Sequence, residues 1–324
     1  MRITNPMVVR NYTNNLHKNR AMLEHFSNQI VTGRRFNKMS EDTAAGVRAM
    51  QVRRNLSRID AHIDNAKAAQ SQLGAAETTL LQISELTHSI SEKHISGMSD
   101  DKTTERGIIA TELEKLRDQL MSLANSQFAG RYMFGGTNTV TPPFETDDLG
   151  NIFYNGTDIR TLDKSHPLIK DAAHLDIGLG LTFNNAGDPQ LVDPNSAFKH
   201  TLVGAEFLGL GSENIYLVLT EMIDSLRAEV FDHEAAGNIL NRFRESAANV
   251  NIQITKLGAD SQYLEFSIDR LETEAINLKT RQTDLEAAAP EEAIMNMKIQ
   301  EFIYNAALQM GQRLLQPTLF SFIN

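Results

Sequence analysis

The chain has 324 residues, no cysteine and a formal charge of −10, with 22% charged and 41% hydrophobic residues. This excludes disulfides and thiolate chemistry, argues against global disorder and makes the molecule as a whole no obvious nucleic-acid binder. No apolar run approaches the ~18 residues needed to span a bilayer. The stretch Met1-Arg2-Ile3-Thr4-Asn5-Pro6 lacks the apolar core of a secretory signal, so no membrane insertion or cleavable leader is expected. Charge is uneven: residues 1–58 hold eleven Lys/Arg against three acids, a net +8, leaving about −18 elsewhere. A basic head and an acidic tail segment can attract one another, within a chain or between neighbours.

Val9, Tyr12, Leu16, Leu23, Phe26 and Ile30 recur at spacings that keep one stripe on one helix face, and Gly33 ends the pattern. Ser40, ahead of Glu41 and Asp42, reads as the N-cap of a second helix. That helix runs without proline from about residue 42 to 95, with Ile59, Ile63, Ala66, Leu73, Ala76, Leu80, Ile83 and Ile90 as its stripe. The break Gly97-Met98-Ser99-Asp100-Asp101 precedes a third helix, capped by Thr103 or Thr104. It carries Ile109, Leu113, Leu116, Leu120 and Leu123, and an antiparallel hairpin is expected.

Residues 130–211 change texture, with most of the glycines and prolines and short apolar runs such as Ile152-Phe153-Tyr154 before the turn signal Asn155-Gly156. A small β-rich unit is expected. Helix returns near Ser212 with Ile215, Leu219, Ile223 and Leu226, and a break is expected near Gly237. The last stretch has heptads: Leu264, Leu271, Leu278, Leu285 and Ile299 on one series, Ile268, Ala275, Ile303 and Met310 on its partner, with Gln282 and Asn296 as polar members. Pro290 before Glu291 and Glu292 reads as a first-turn proline where a helix restarts. After Arg313 no charge appears, and Leu314, Leu319, Phe320 and Phe322 make an apolar tail.

The fold class read from these elements is mainly α with a β-rich insert: both chain ends form a long antiparallel helical rod, and the insert forms a small outer domain. The segments expected are 1–41 with 290–324 for assembly, 42–129 with 212–289 for the rod, and 130–211 for the outer domain. Catalytic chemistry finds no support. The nine histidines are scattered, Asp147-Asp148-Leu149-Gly150-Asn151 lacks the glutamate of a calcium loop, and Gly178-Leu179-Gly180 punctuates strands and does not cradle phosphate. Neither cofactor nor metal is expected.

The stretches Gln29-Ile30-Val31-Thr32-Gly33-Arg34-Arg35, Ser40-Glu41-Asp42-Thr43-Ala44-Ala45-Gly46, Tyr304-Asn305-Ala306-Ala307-Leu308 and Leu315-Gln316-Pro317-Thr318-Leu319-Phe320 resemble the flagellin superfamily. Gly130-Arg131-Tyr132-Met133-Phe134-Gly135-Gly136, followed by Pro142-Pro143-Phe144, is similar to its hook-associated branch and less so to filament flagellin. Pro290 departs from the uninterrupted helix expected of the family. The resemblance implies an extracellular structural component at the hook–filament junction of the flagellum, exported through the type III apparatus with a chaperone. Its partners would be further copies in a ring-like zone, a neighbouring junction protein and flagellin. The assembly interface it implies comprises Val9, Tyr12, Leu16, Leu23, Phe26 and Ile30 at one end, and Ile299, Ile303, Met310, Leu314, Leu319, Phe320 and Phe322 at the other. A filament-forming flagellin is the alternative, and a non-flagellar coiled-coil adaptor a more distant one.

Overall fold

A computed structural model describes residues 5–99, 105–147, 150–170, 173–180, 182, 193 and 196–315. Two compact units divide the chain: residues 59–273 form one, and residues 1–58 with 274–324 the other. The fold is mainly helical with small β elements, the fold class expected from the sequence.

In the unit of residues 59–273, four helices share one apolar cluster. They are α2 (Thr43–Gly97), α3 (Arg106–Ala124), α6 (Ile215–Arg227) and α7 (His233–Glu286), of which α2 and α7 contribute only their parts inside this unit. The stripe from Ile59 to Ile90 is buried at every position named above, as are Ile109, Leu113 and Leu120, because residues three and four apart share a helix face. Leu116 and Leu123 are partly buried against the same cluster. Here α2 and α7 run antiparallel, tied by Lys67 Nζ to Glu272 Oε1 at 2.7 Å and by Ser84 Oγ donating to Asn251 Oδ1 at 3.0 Å. The expected α2–α3 hairpin is present, with Lys93 Nζ 2.6 Å from Glu112 Oε2, yet α3 packs most closely on α6. Arg227 reaches Glu114 there with both guanidinium nitrogens, at 2.7 and 2.8 Å.

One cap and one break differ from the sequence reading. The residue that caps α2 is Asp42, whose Oδ1 accepts from Ala45 N; Ser40 lies too far ahead. Helix α6, expected near Ser212, is capped by Asn214, which accepts from Tyr216 N. The break expected at Gly237 falls instead before His233, where Asp232 Oδ1 accepts from Glu234 N and Ala235 N, and Gly237 sits inside α7. One interior glycine costs about 1 kcal/mol, less than the burial of a long amphipathic helix returns. Thr103 and Thr104 lie outside the described residues, and Glu105 occupies the N-cap position of α3 without a side-chain cap.

The β elements are short. β1 (Gln127–Phe128) pairs with β2 (Arg131–Tyr132), and β3 (Phe144–Thr146), β4 (Ile152–Tyr154) and β5 (Thr157–Asp158) form an antiparallel meander. The expected Asn155-Gly156 turn joins β4 to β5, with φ of 47° and 79°, the left-handed pair a two-residue hairpin requires. The short helix α4 (Pro167–Lys170) follows, then β6 (His174–Leu175) paired with β7 (Phe198–Lys199), and the short helix α5 (Gly204–Leu208). Asn125, just past α3, clips β3 to the bundle: its side chain donates to Phe144 O at 2.9 Å and accepts from Phe144 N at 3.0 Å.

The Gly130–Gly136 motif closes the insert on itself. Gly136 N donates to Leu202 O, Gly204 N donates to Phe134 O, and Gly135 bridges Val203. A Cβ on Gly204 would stand 2.5 Å from the Phe144 ring and 3.0 Å from Phe134 O. Gly204→Ala is expected to destabilise this unit by about 1–3 kcal/mol through overpacking, measured by urea unfolding.

His94 is fully buried in the bundle. Its Nε2 faces Ala236 O at 3.4 Å and its Nδ1 has no partner among the described residues. Burial pushes its pKa down, the Ala236 carbonyl offsetting this only in part. The unfolded chain therefore binds a proton that the native chain refuses, so stability falls as pH drops below about 6.5 towards the depressed native value. His94→Leu is expected to flatten that slope in denaturant titrations at a series of pH values.

Candidate assembly surface

In the other unit, α1 (Asn5–Thr32) lies antiparallel to α8 (Pro290–Leu315) and packs against it. Val9, Tyr12, Leu16, Leu23 and Phe26 are half-buried along α1, and Ile30 is exposed at 36%. Tyr12 Oη donates to Ala307 O at 2.9 Å, and a Cβ on Gly311 would overlap that hydroxyl. Gln300, 7% exposed, satisfies its buried amide by donating to Asn19 O at 3.2 Å.

The α8 seam that meets α1 is therefore not the apolar one. It runs through Ala293, Asn296, Met297, Gln300, Tyr304, Ala307 and Gly311 at helical spacing, buried or half-buried and mostly small or polar. Hydrophobic periodicity registers such a mixed stripe only weakly, so the sequence reading missed it. Ile299 and Ile303 instead stand 51% and 40% exposed, and Met310 63%. Met295 and Phe302 share their face at the same three-and-four spacing, and Phe302 is 74% exposed. The side chain of Leu314, and residues Leu319, Phe320 and Phe322, lie outside the described residues.

The helix breaks at Gly33 and before Pro290 occur together for a physical reason. Gly33, at φ 65°, ends α1, and the chain beyond it pairs with the segment between α7 and α8. Arg35 N donates to Glu286 O at 2.7 Å, Ala288 N donates to Gly33 O at 3.0 Å, and Arg34 bridges Ala287. Pro290 then restarts the helix at its first position, where a missing N–H costs nothing. The pairing is pinned by Arg53, whose Nε and Nη2 donate to the two Glu286 carboxylate oxygens at 2.8 and 2.6 Å. The Arg53 guanidinium holds the Glu286 carboxyl below its ordinary pKa despite burial, and the carboxylate in turn raises Arg53.

Among the described residues no group of histidines and acids could hold a metal, and no helix is long and apolar enough to cross a membrane. What distinguishes the unit is an antiparallel helix pair in which α8 exposes Met295, Ile299, Phe302, Ile303 and Met310.

Residues 3–139 match the model of the bacterial flagellin N-terminal helical region. The chain is similar to flagellar hook-associated protein 3 of Escherichia coli (strain K12), 25% identical over 297 residues that cover 87% of this chain and 86% of that protein. Flagellar hook-associated protein 3 of Salmonella typhimurium (strain LT2) is 29% identical over 150 residues, 45% of this chain and 46% of that one. The fold is shared with a solved structure of a flagellar hook-associated protein from Vibrio parahaemolyticus, at a TM-score of 0.62 and 18% identity, covering 76% of this chain and 100% of that one. The terminal helical pair, the paired breaks at Gly33 and Pro290 and the flagellin N-terminal match over residues 3–139 thus agree, and the chain is similar to flagellar hook-associated protein 3, with a flagellin-like N-terminal region.

Proposed function

We propose that this chain is a structural component of the bacterial flagellum that joins hook to filament, without catalytic activity, and that it works outside the cell. The observation that carries the reading is the outward apolar face of α8, with Met295, Ile299, Phe302, Ile303 and Met310 between 40% and 74% exposed on a helix already paired with α1. Contiguous apolar surface of this kind is rare on a monomer and marks a contact with other protein. Its burial against neighbouring copies, at roughly 1.5–3 kcal/mol per large side chain, would supply a large gross driving force, offset by the ordering of the partners. The relatives' shared name favours the junction over the filament. The assembly surface in this reading comprises the α1 stripe, the outer face of α8 and the apolar stretch after Arg313. Self-association into a ring-like zone, contacts with a neighbouring junction protein and flagellin, and an export chaperone complete it.

Cryo-electron microscopy of isolated hook–filament regions tests this. A zone of this chain confined to one or two helical turns between hook and filament is expected. Density for it along the whole filament, or purified protein polymerising alone into long filaments, would favour the filament-forming alternative.

A further inference from the structure

In the unit of residues 59–273 a pocket of about 410 Å³ opens between β7, α5 and α7. Its floor is apolar: Leu73, Leu80, Phe134, Phe207 and Leu257 line it, each 2% exposed or less. Well-packed interiors hold few voids larger than a water, and a dry cavity of about 150 Å³ suffices to bind benzene. With about 30 Å³ as a water's share of liquid volume, this space suits a molecule of roughly a dozen non-hydrogen atoms.

The rim sorts the charges. Lys256 Nζ lies 3.7 Å from Glu206 Oε2, so those two largely answer each other. Lys199 is exposed to water. Asp260 is half-buried on the pocket wall and has neither a hydrogen bond nor an ion pair among the described residues. Burial raises its pKa, and Lys256 and Lys199 offset that only partly. Beside it Tyr263, 43% exposed, stacks on Phe198 with ring centroids 6.2 Å apart, which holds the tyrosine ring fixed at the mouth. A carboxylate that loses water with no hydrogen bond or ion pair in return, and only partial compensation from two lysines, is a cost the fold bears at this place, and a ligand cation would relieve it. The aromatic face next to it favours the same sign of charge.

We propose that this pocket binds a small amphiphilic amine, its apolar body on the leucine and phenylalanine floor and its ammonium group beside Asp260. Every residue that lines the site belongs to the unit of residues 59–273.

Three probes of one shape, phenylbutylamine, phenylbutanol and phenylbutyrate, titrated calorimetrically into the full chain, test it. The amine is expected to bind saturably and about tenfold or more tighter than the alcohol, the margin of a hydrogen bond to a charged group, with the acid weakest. Asp260→Asn should bring the amine down to the affinity of the alcohol, whereas Asp260→Glu should keep it within a few-fold. Lys199→Ala should leave amine binding unchanged or tighter. The ranking in the unaltered chain is decisive by itself: no saturable amine binding, or phenylbutanol or phenylbutyrate binding as tightly as the amine, overturns the proposal whatever the variants do. Equal amine affinity in Asp260→Asn overturns it as well.

Discussion

Phe302→Asp is expected to leave the isolated chain folded and to abolish its incorporation into the flagellum. Phe302 is 74% exposed on α8, so its loss removes little that the monomer buries, and a surface substitution of this kind changes folding stability by about 0.5 kcal/mol or less. In an assembled state the same side chain would be covered by neighbouring subunits. An aspartate would then be desolvated without a partner, at several kcal/mol per copy, and repetition around a ring multiplies the penalty. Ile299→Asp, on the same face and 51% exposed, should behave alike. Val230→Asp, in the loop before α7 and 86% exposed, is the matched control and should swim normally. The measurements are circular dichroism and thermal unfolding of purified chains, and motility of cells carrying each variant as their sole copy. Wild-type motility with both α8 variants would remove the outer face of α8 from the assembly surface.

What the sequence made legible was the periodic part. The α2 stripe is apolar at every third or fourth position, so Ile59 to Ile90 could be placed in the core before any coordinates, and all of them are buried. Pro290 and Asn155-Gly156 were legible because each residue type tolerates few backbone conformations. The cap of α2 was misplaced by two residues because Ser40, Glu41 and Asp42 all suit an N-terminus, and only the observed geometry selects Asp42 Oδ1. Gly237 was read as a break because local propensity favours one there, whereas burial of Ala236 and Leu240 on either side holds the helix together. At the proposed assembly surface, Ile299, Ile303 and Met310 were recognised as heptad positions, but a heptad position does not say which partner it faces. The seam that meets α1 was hidden by its composition, since Ala293, Gln300 and Gly311 carry no hydrophobic signal. The Arg53–Glu286 pair, 233 residues apart, left no trace in any local pattern.

That pair carries the second large effect. Arg53→Ala would strand Glu286, whose side chain is 8% exposed, beside the backbone bridge that joins the two helix breaks. Removing one partner of a buried pair costs about 3–5 kcal/mol; Arg53 is 49% exposed and Gln282 Nε2 remains 3.4 Å from Glu286 Oε2, so about 2–3 kcal/mol is expected here. Glu286→Gln should cost less, because the amide stays neutral in its place and the bridge keeps Arg35 N on Glu286 O. The pH dependence separates the pair from simple packing. Native Glu286 sits below its ordinary pKa, so its contribution is present above the unfolded carboxylate value and is lost as pH falls through the native one. Arg53→Ala should abolish that acid-side loss while lowering stability at neutral pH. Hydrogen exchange localises the effect: amides at Arg35 and Ala288 should exchange faster in the variant, with those of α3 and α6 unchanged. If Arg53→Ala left the Arg35 and Ala288 amides as protected as before at neutral pH, the backbone bridge alone would hold the paired breaks, and Arg53 would have no part in setting where α8 leaves α7.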